Sequence, residues 1–139
     1  IIVELKGWKI CPLICYDLRF PVWARNTKEA SYDALIYVAN WPERRAYPWK
    51  TLLLARAIEN QCYVIGVNRV GADGNDITHS GDSAVIDAKG AVISKTKPNE
   101  EATETLSLSY SDLEEFRKQF PAILDADQFA IKSMTTSVV

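Results

Sequence analysis

The sequence predicts an α/β chain, and three observations carry that expectation. Ala34 to Ala39 and Cys62 to Val67 are two runs with hardly a polar side chain, the character of strands covered on both faces. Between them, Trp49 to Gln61 spreads Leu52, Leu53, Leu54, Ala55, Ala57 and Ile58 over a broad apolar face interrupted by Lys50, Arg56, Glu59 and Asn60, as on a helix packed against a sheet. Strand, helix and strand in that order imply a right-handed crossover and neighbouring strands in one sheet. The chain has 139 residues, enough for one domain or part of one at about 150 residues per domain.

The remaining elements follow in chain order. Ile1 to Leu5 and Lys9 to Tyr16 are β-rich runs joined through Lys6-Gly7-Trp8, the sequence form of a tight hairpin. The second strand is expected to end at Cys15-Tyr16-Asp17. Pro21 stands where a helix can begin, and Val22-Trp23-Ala24-Arg25 with Lys28-Glu29-Ala30 carries a helical mixture up to Ser31, which completes a βαβαβ unit. Asn40-Trp41-Pro42 ends the next strand. The loop Gly71 to Asp76 breaks the pattern; Ser83 to Asp87 and Ala91 to Ser94 then flank Ala88-Lys89-Gly90 as a hairpin, and Glu104 to Ser109 alternates as a further strand. Ser111-Asp112-Leu113-Glu114 has capping-box spacing and opens a short helix that stops before Pro121. From Pro121 onward there is no regular pattern, and that stretch is expected to pack across a surface or a partner.

Composition narrows the function. Hydrophobic residues make up 47% and charged residues 24%, the ordinary globular range. Sixteen basic against 18 acidic residues leave a net charge of −2 and a pI near 5.4, far from the basic footprint of a nucleic-acid binder. No stretch longer than nine residues is free of Asp, Glu, Lys and Arg, whereas a spanning helix needs about 18 apolar residues in a row, so no membrane partner is expected. The chain opens directly in strand-like sequence without a signal-peptide pattern, and its one methionine is Met134; it is therefore expected to be a segment of a longer polypeptide. Three cysteines, Cys11, Cys15 and Cys62, disfavour a disulfide framework and fit a reducing, cytoplasmic setting. Too few further Cys or His ligands accompany them for a structural zinc site.

In open α/β sheets functional groups collect beyond the carboxyl ends of strands, so the junctions to weigh are Cys15-Tyr16-Asp17, Asn40-Trp41-Pro42 and Asn68-Arg69. A thiol at the end of a buried strand, entering a turn, can face a pocket while neighbouring backbone N–H groups point at a developing oxyanion; the Tyr16 N–H is so placed. On the residues alone, Cys15 as a buried, inert thiol is the simpler reading.

Four spaced motifs weigh against inertness. Leu13-Ile14-Cys15-Tyr16-Asp17-Leu18-Arg19-Phe20-Pro21, Ala39-Asn40-Trp41-Pro42, Ala55-Arg56-Ala57-Ile58-Glu59-Asn60-Gln61 and Ser80-Gly81-Asp82-Ser83-Ala84-Val85-Ile86-Asp87 occur in the order in which the carbon–nitrogen hydrolase (nitrilase) superfamily carries them. The chain resembles that superfamily over nearly its whole length, and within it the ω-amidases acting on 2-oxo-dicarboxylate monoamides. The resemblance implies a four-layer αββα sandwich of which residues 1–139 form the C-terminal half, the upstream half being absent. It maps Cys15 onto the nucleophile, which attacks an amide carbonyl, expels ammonia and leaves a thioester for water to hydrolyse. The family's general-base Glu and oxyanion-stabilising Lys precede the cysteine in chain order; Glu4, Lys6 and Lys9 belong to the hairpin and do not match them. No metal or organic cofactor is implied. A small-molecule amide substrate and self-association are implied.

Around the nucleophile, Arg19 is expected to hold a substrate carboxylate, or else to form an ion pair with Asp17 or another acid, and Asn40 and Trp41 to line the pocket. Arg44 and Arg45 add positive charge near that mouth but read more simply as a solvated pair. Asp17 is expected to orient by hydrogen bonding, Glu59 to lie on a helix face or in a salt bridge, Asp82 to fix its loop, and Cys11 and Cys62 to sit in the core. His79, the one histidine, offers a Cys/His pair with Cys15, although Thr78-His79-Ser80-Gly81 reads more simply as a polar loop. A non-catalytic nitrilase-like module for binding or assembly is the competing function.

Overall fold

In a computed structural model of the chain, which describes residues 1–129, the strands are β1 (Val3–Leu5), β2 (Trp8–Ile14), β3 (Ala34–Ala39), β4 (Tyr63–Asn68), β5 (Val70–Ala72), β6 (Thr78–Ser80) and β7 (Ala84–Ile86). Two α-helices, α1 (Ala46–Asn60) and α2 (Tyr110–Gln119), complete the regular elements together with short 3-10 turns at Cys15–Arg19, Glu43–Arg45 and Ala122–Asp125. The main sheet has the order β1-β2-β3-β4-β7, and β5 and β6 form a separate hairpin. β2, β3 and β4 are parallel, with β1 and β7 antiparallel at the edges. Leu5 pairs with Trp8, so Lys6 and Gly7 alone make the turn; their φ angles of +50° and +83° are those a two-residue hairpin turn demands.

α1 covers one face of this sheet. Cys11, Leu35, Tyr37 and Val64 form one cluster with Trp49, Leu53 and Ala57 of the helix. The approach is close at Gly66, where a Cβ would stand 2.5 Å from Leu53 Cδ1 and 2.9 Å from the Trp49 ring, so a larger residue would force these side chains to move. The helix ends on Gln61, whose left-handed φ of +46° turns the chain into β4.

The opposite face is covered only at one end. α2 lays Leu113 and Phe116 over Ala34 and Tyr63 at the start of the strands. Arg117 fastens it there, with Nη1 2.8 Å from Asp33 Oδ1 and donations to the carbonyls of Tyr32 and Gln61. Toward the other end Ile14, Val38 and Val67 stand side by side in register and are 71%, 58% and 47% exposed. The expected burial of β3 on both faces is therefore met along the α1 face but only at the Ala34 end of the other.

Three expectations are corrected. Residues 22–31 are not helical: one turn closes with Ala24 N–H donating to the Pro21 carbonyl, and then Asn26 takes the backbone elsewhere. Its N–H donates to Asn60 Oδ1 and its Nδ2 to the carbonyls of Tyr32 and Asn60, while its Oδ1 accepts from the Tyr32 N–H; such side-chain bonds compete directly with helix formation. Glu104 to Ser109 alternates in sequence but pairs with no strand, and alternation without a ladder partner does not make a strand. The N-cap of α2 is Ser109, whose Oγ accepts from the Asp112 N–H, so the helix starts one residue before the expected Ser111. The stretch after Pro121 runs back along the 25–29 loop, with Lys28 Nζ on the Leu124 carbonyl and Gln128 Nε2 on Glu29; the end of the expected C-terminal surface segment lies outside the described residues. Among the described residues no helix is long and apolar enough to cross a membrane.

Candidate active site

The site grows from the carboxyl ends of the three parallel strands. Ile14 pairs with Val38 and Ala39 with Asn68, so the residues that follow β2, β3 and β4 emerge at one edge of the sheet. Cys15 is the first residue past β2 and opens the 3-10 turn with a φ of +38°. A non-glycine residue in that region costs on the order of 1–3 kcal/mol and persists only where its surroundings impose it. Two contacts impose it here. Asp17 Oδ2 reaches back to accept from the Ile14 N–H at 2.9 Å, and the buried Arg56 on α1 donates from Nη2 to the Leu18 carbonyl while its Nη1 holds Glu59 at 2.8 Å. Asp17 thus orients by hydrogen bonding, as expected, and Glu59 sits in a helix-face salt bridge.

The turn leaves the Tyr16 N–H in its first positions, which have no partner within a helical turn. The Tyr16 ring is exposed and meets Phe20 edge-on at 5.3 Å. Cys15 is the one thiol of three that is not buried. Burial pushes the Cys11 and Cys62 thiols up from their ordinary values, which favours their protonated form.

Arg19 and Trp41 come together: the guanidinium carbon lies 4.8 Å from the Trp41 ring centroid, within cation–π range. Arg19 has no ion-pair partner among the described residues, so the alternative pairing with Asp17 is not made. Trp41 itself is 3% exposed; its Nε1 donates to the Arg45 carbonyl at 2.7 Å and its ring lies 5.5 Å from that of Trp49. Asn40 is exposed at the same edge, and Arg44 and Arg45 are exposed beside it. His79 is remote in bonding: its Nδ1 lies 3.3 Å from the Gly71 carbonyl across the β5–β6 hairpin, and the Cys/His pair is not formed. Asp82 fixes its loop as expected, accepting from Ser80 Oγ and pairing with Lys50 at 3.3 Å. A groove of about 890 Å³ lies between β4, β7 and the segment that includes Ser94, Thr96 and Leu108. It touches Asn68 and Ser83 but not Cys15, and it continues the uncovered face of the sheet.

The sequence places Asn68 at a strand-end junction and Arg56 in a family motif on a helix, but it gives neither side chain a role; those roles come from hydrogen-bond partners seen only in the fold, the Leu18 carbonyl for Arg56 and Trp41 for Asn68. Both act through bonds to residues far along the chain, and no local pattern announces such bonds.

The model of the carbon–nitrogen hydrolase family matches residues 1–118. The chain belongs to the carbon–nitrogen hydrolase family. This carbon–nitrogen hydrolase chain is 51% identical over 131 residues to the omega-amidase YafV of Escherichia coli (strain K12), an alignment covering 94% of the chain and 50% of that protein. It is 38% identical over 122 residues to the 2-oxoglutaramate amidase of Bacillus subtilis (strain 168), covering 88% of the chain and 46% of the relative. Among solved structures, XC1258 from Xanthomonas campestris, a CN-hydrolase superfamily protein with an arsenic adduct in its active site, is 50% identical with a TM-score of 0.90 over 95% of this chain and 52% of that one. Nit3 of Saccharomyces cerevisiae, of the nitrilase superfamily, is 27% identical with a TM-score of 0.74 over 87% of this chain and 45% of that one. The expected fold class, an α/β chain with a nitrilase-like fold, holds. The chain spans about half the length of the relatives it matches.

Proposed function

We propose that residues 1–139 are the C-terminal portion of a single carbon–nitrogen hydrolase domain, and that the whole domain hydrolyses the amide of a small carboxylate-bearing substrate of the 2-oxoglutaramate type. The observation that carries this reading is Cys15: a part-exposed thiol held at positive φ on the first turn beyond a central parallel strand, in a chain 51% identical to an ω-amidase. The open row of Ile14, Val38 and Val67 supports the half-domain reading, because three adjacent apolar side chains on a sheet face are what a second sheet covers.

In this mechanism Cys15 Sγ attacks the substrate carbonyl while its proton passes to a Glu in the upstream portion. The tetrahedral oxyanion is held by the Tyr16 N–H and an upstream Lys. Collapse breaks the C–N bond, ammonia leaves with the proton, and water hydrolyses the thioester to the carboxylic acid and free thiol. Arg19 holds the substrate carboxylate, with Asn40 and Trp41 lining the pocket. The division of labour is physical: the thiolate, not the thiol, is the nucleophile, so the reaction needs a base to take the proton. We place the protein in the cytoplasm, where its thiols stay free, and expect it to self-associate as a homo-oligomer.

The test is ammonia release from 2-oxoglutaramate by the complete protein beside its Cys15→Ala variant. Release that vanishes in the variant supports the reading. Silence of both proteins on this amide and on a panel of simple amides and nitriles would replace it with a binding or assembly module.

A further inference from the structure

Asn68 makes an unusual set of bonds for a residue at a strand end. Its Oδ1 accepts from the Trp41 N–H at 2.7 Å and its Nδ2 donates to the Trp41 carbonyl at 3.0 Å, so the side-chain amide serves Trp41 as a strand backbone would. The register between β3 and β4 stops at Ala39 and Asn68; the side chain carries the pairing onward to a residue 27 positions away in sequence. The second Nδ2 hydrogen goes to the Gly81 carbonyl at 2.9 Å. The Asn68 backbone is held in turn by Ser83, whose Oγ accepts from the Asn68 N–H at 3.0 Å and donates to the Asn68 carbonyl.

The bonds close a circuit. The Trp41 ring packs on Trp49, whose Nε1 donates to the Asp82 carbonyl at 2.8 Å, one residue beyond the Gly81 carbonyl that Asn68 holds. Asn68 itself makes no hydrogen bond to Cys15 or to Arg19. What it fixes is the orientation of the Trp41 ring, and that ring is the surface on which the Arg19 guanidinium lies. Arg19 has no carboxylate of its own among the described residues, so a seated cation is left free for an incoming anion.

We propose that Asn68 is a positioning residue for recognition of the substrate carboxylate: it clamps Trp41, and Trp41 seats Arg19. The proposal rests on the reading of Arg19 as the carboxylate-holding group. Only an Asn side chain matches the demand, since it presents one acceptor and two donors at this length. Alanine leaves the Trp41 N–H and two carbonyls without their partner, and aspartate turns an oxygen on two carbonyls.

The test uses the complete protein and follows alkylation of Cys15 by iodoacetamide, an uncharged reagent, with and without 2-oxoglutarate, the dicarboxylate that hydrolysis of 2-oxoglutaramate would yield. Asn68→Ala should alkylate at a rate within about twofold of the parent, while the concentration of 2-oxoglutarate that protects Cys15 rises about tenfold or more, the scale of a lost charge-assisted contact. Ser83→Ala should shift protection in the same direction by less, and it decides the matter if Asn68→Ala does not fold. Unchanged protection in the folded variant, or protection and alkylation lost together, overturns the proposal. Arg19→Ala separates the two ideas: if it leaves protection intact the reading of Arg19 has failed, whereas if it abolishes protection and Asn68→Ala does not weaken it, only the role of Asn68 has failed.

Discussion

The two faces of the main sheet are built from the same three strands and end in opposite conditions. On the α1 face the packing is so close that a methyl group at Gly66 would force Leu53 and Trp49 to move, and Leu35, Tyr37, Leu53 and Val64 are fully buried. On the other, α2 covers the strand beginnings and then stops, leaving Ile14, Val38 and Val67 open. The contrast teaches where the chain is self-sufficient. Two contacts that shape the Cys15 turn, Arg56 behind it and Asp17 across it, come from within these residues, while the other face leaves three adjacent apolar side chains open, the surface that the half-domain reading proposed above would cover.

That contrast can be broken at four points. The largest effect is expected at Arg117, which holds the partial cover in place through Asp33 and two carbonyls. Arg117→Ala should cost about 3–5 kcal/mol in a denaturant titration of the complete protein, because Asp33 is left buried without its partner. On the closed face, Gly66→Ala should cost about 1–3 kcal/mol by overpacking against Leu53 and Trp49; a neutral result would mean that α1 can ride away from the sheet.

Val38→Ser is the sharpest comparison. Val38 is 58% exposed in this chain, and surface substitutions fall within about 0.5 kcal/mol. If the upstream half covers it, the variant of the complete protein should instead lose about 1–2 kcal/mol, as a core truncation does.

The smallest effect is on pH. Burial raises the Cys11 and Cys62 thiols, so the fold favours their protonated form. Their contribution is fully present below the unfolded thiol value of about 8.5 and is lost as the pH rises above it. A Cys62→Ala variant should therefore show a shallower alkaline loss of stability than the parent.

What was legible in the sequence follows the same division. β2, β3, β4 and α1 announce themselves because burial on the α1 face writes continuous apolar runs and a helical apolar face. The Lys6-Gly7 turn and Cys15 at its strand end were equally plain. The 22–31 segment has a helical composition, while the outcome is set by Asn26 meeting Asn60, 34 residues further on. Residues 104–109 alternate like a strand but pair with none. At the site, Arg19 and Trp41 stood out by chemistry and by their place at strand ends. Asn68 shares that place at a strand end, but its role is not legible there, since the bonds of its side chain run to Trp41, 27 residues away.

The measurement that bears most directly on the central claim is a titration of the complete protein with iodoacetamide, scoring residual ammonia release from 2-oxoglutaramate against modification mapped to each cysteine peptide. The account predicts that activity falls in proportion to modification of Cys15, with Cys11 and Cys62 unmodified until the protein unfolds. Activity that survives full modification of Cys15, or that falls with modification of Cys11 or Cys62 instead, would contradict it.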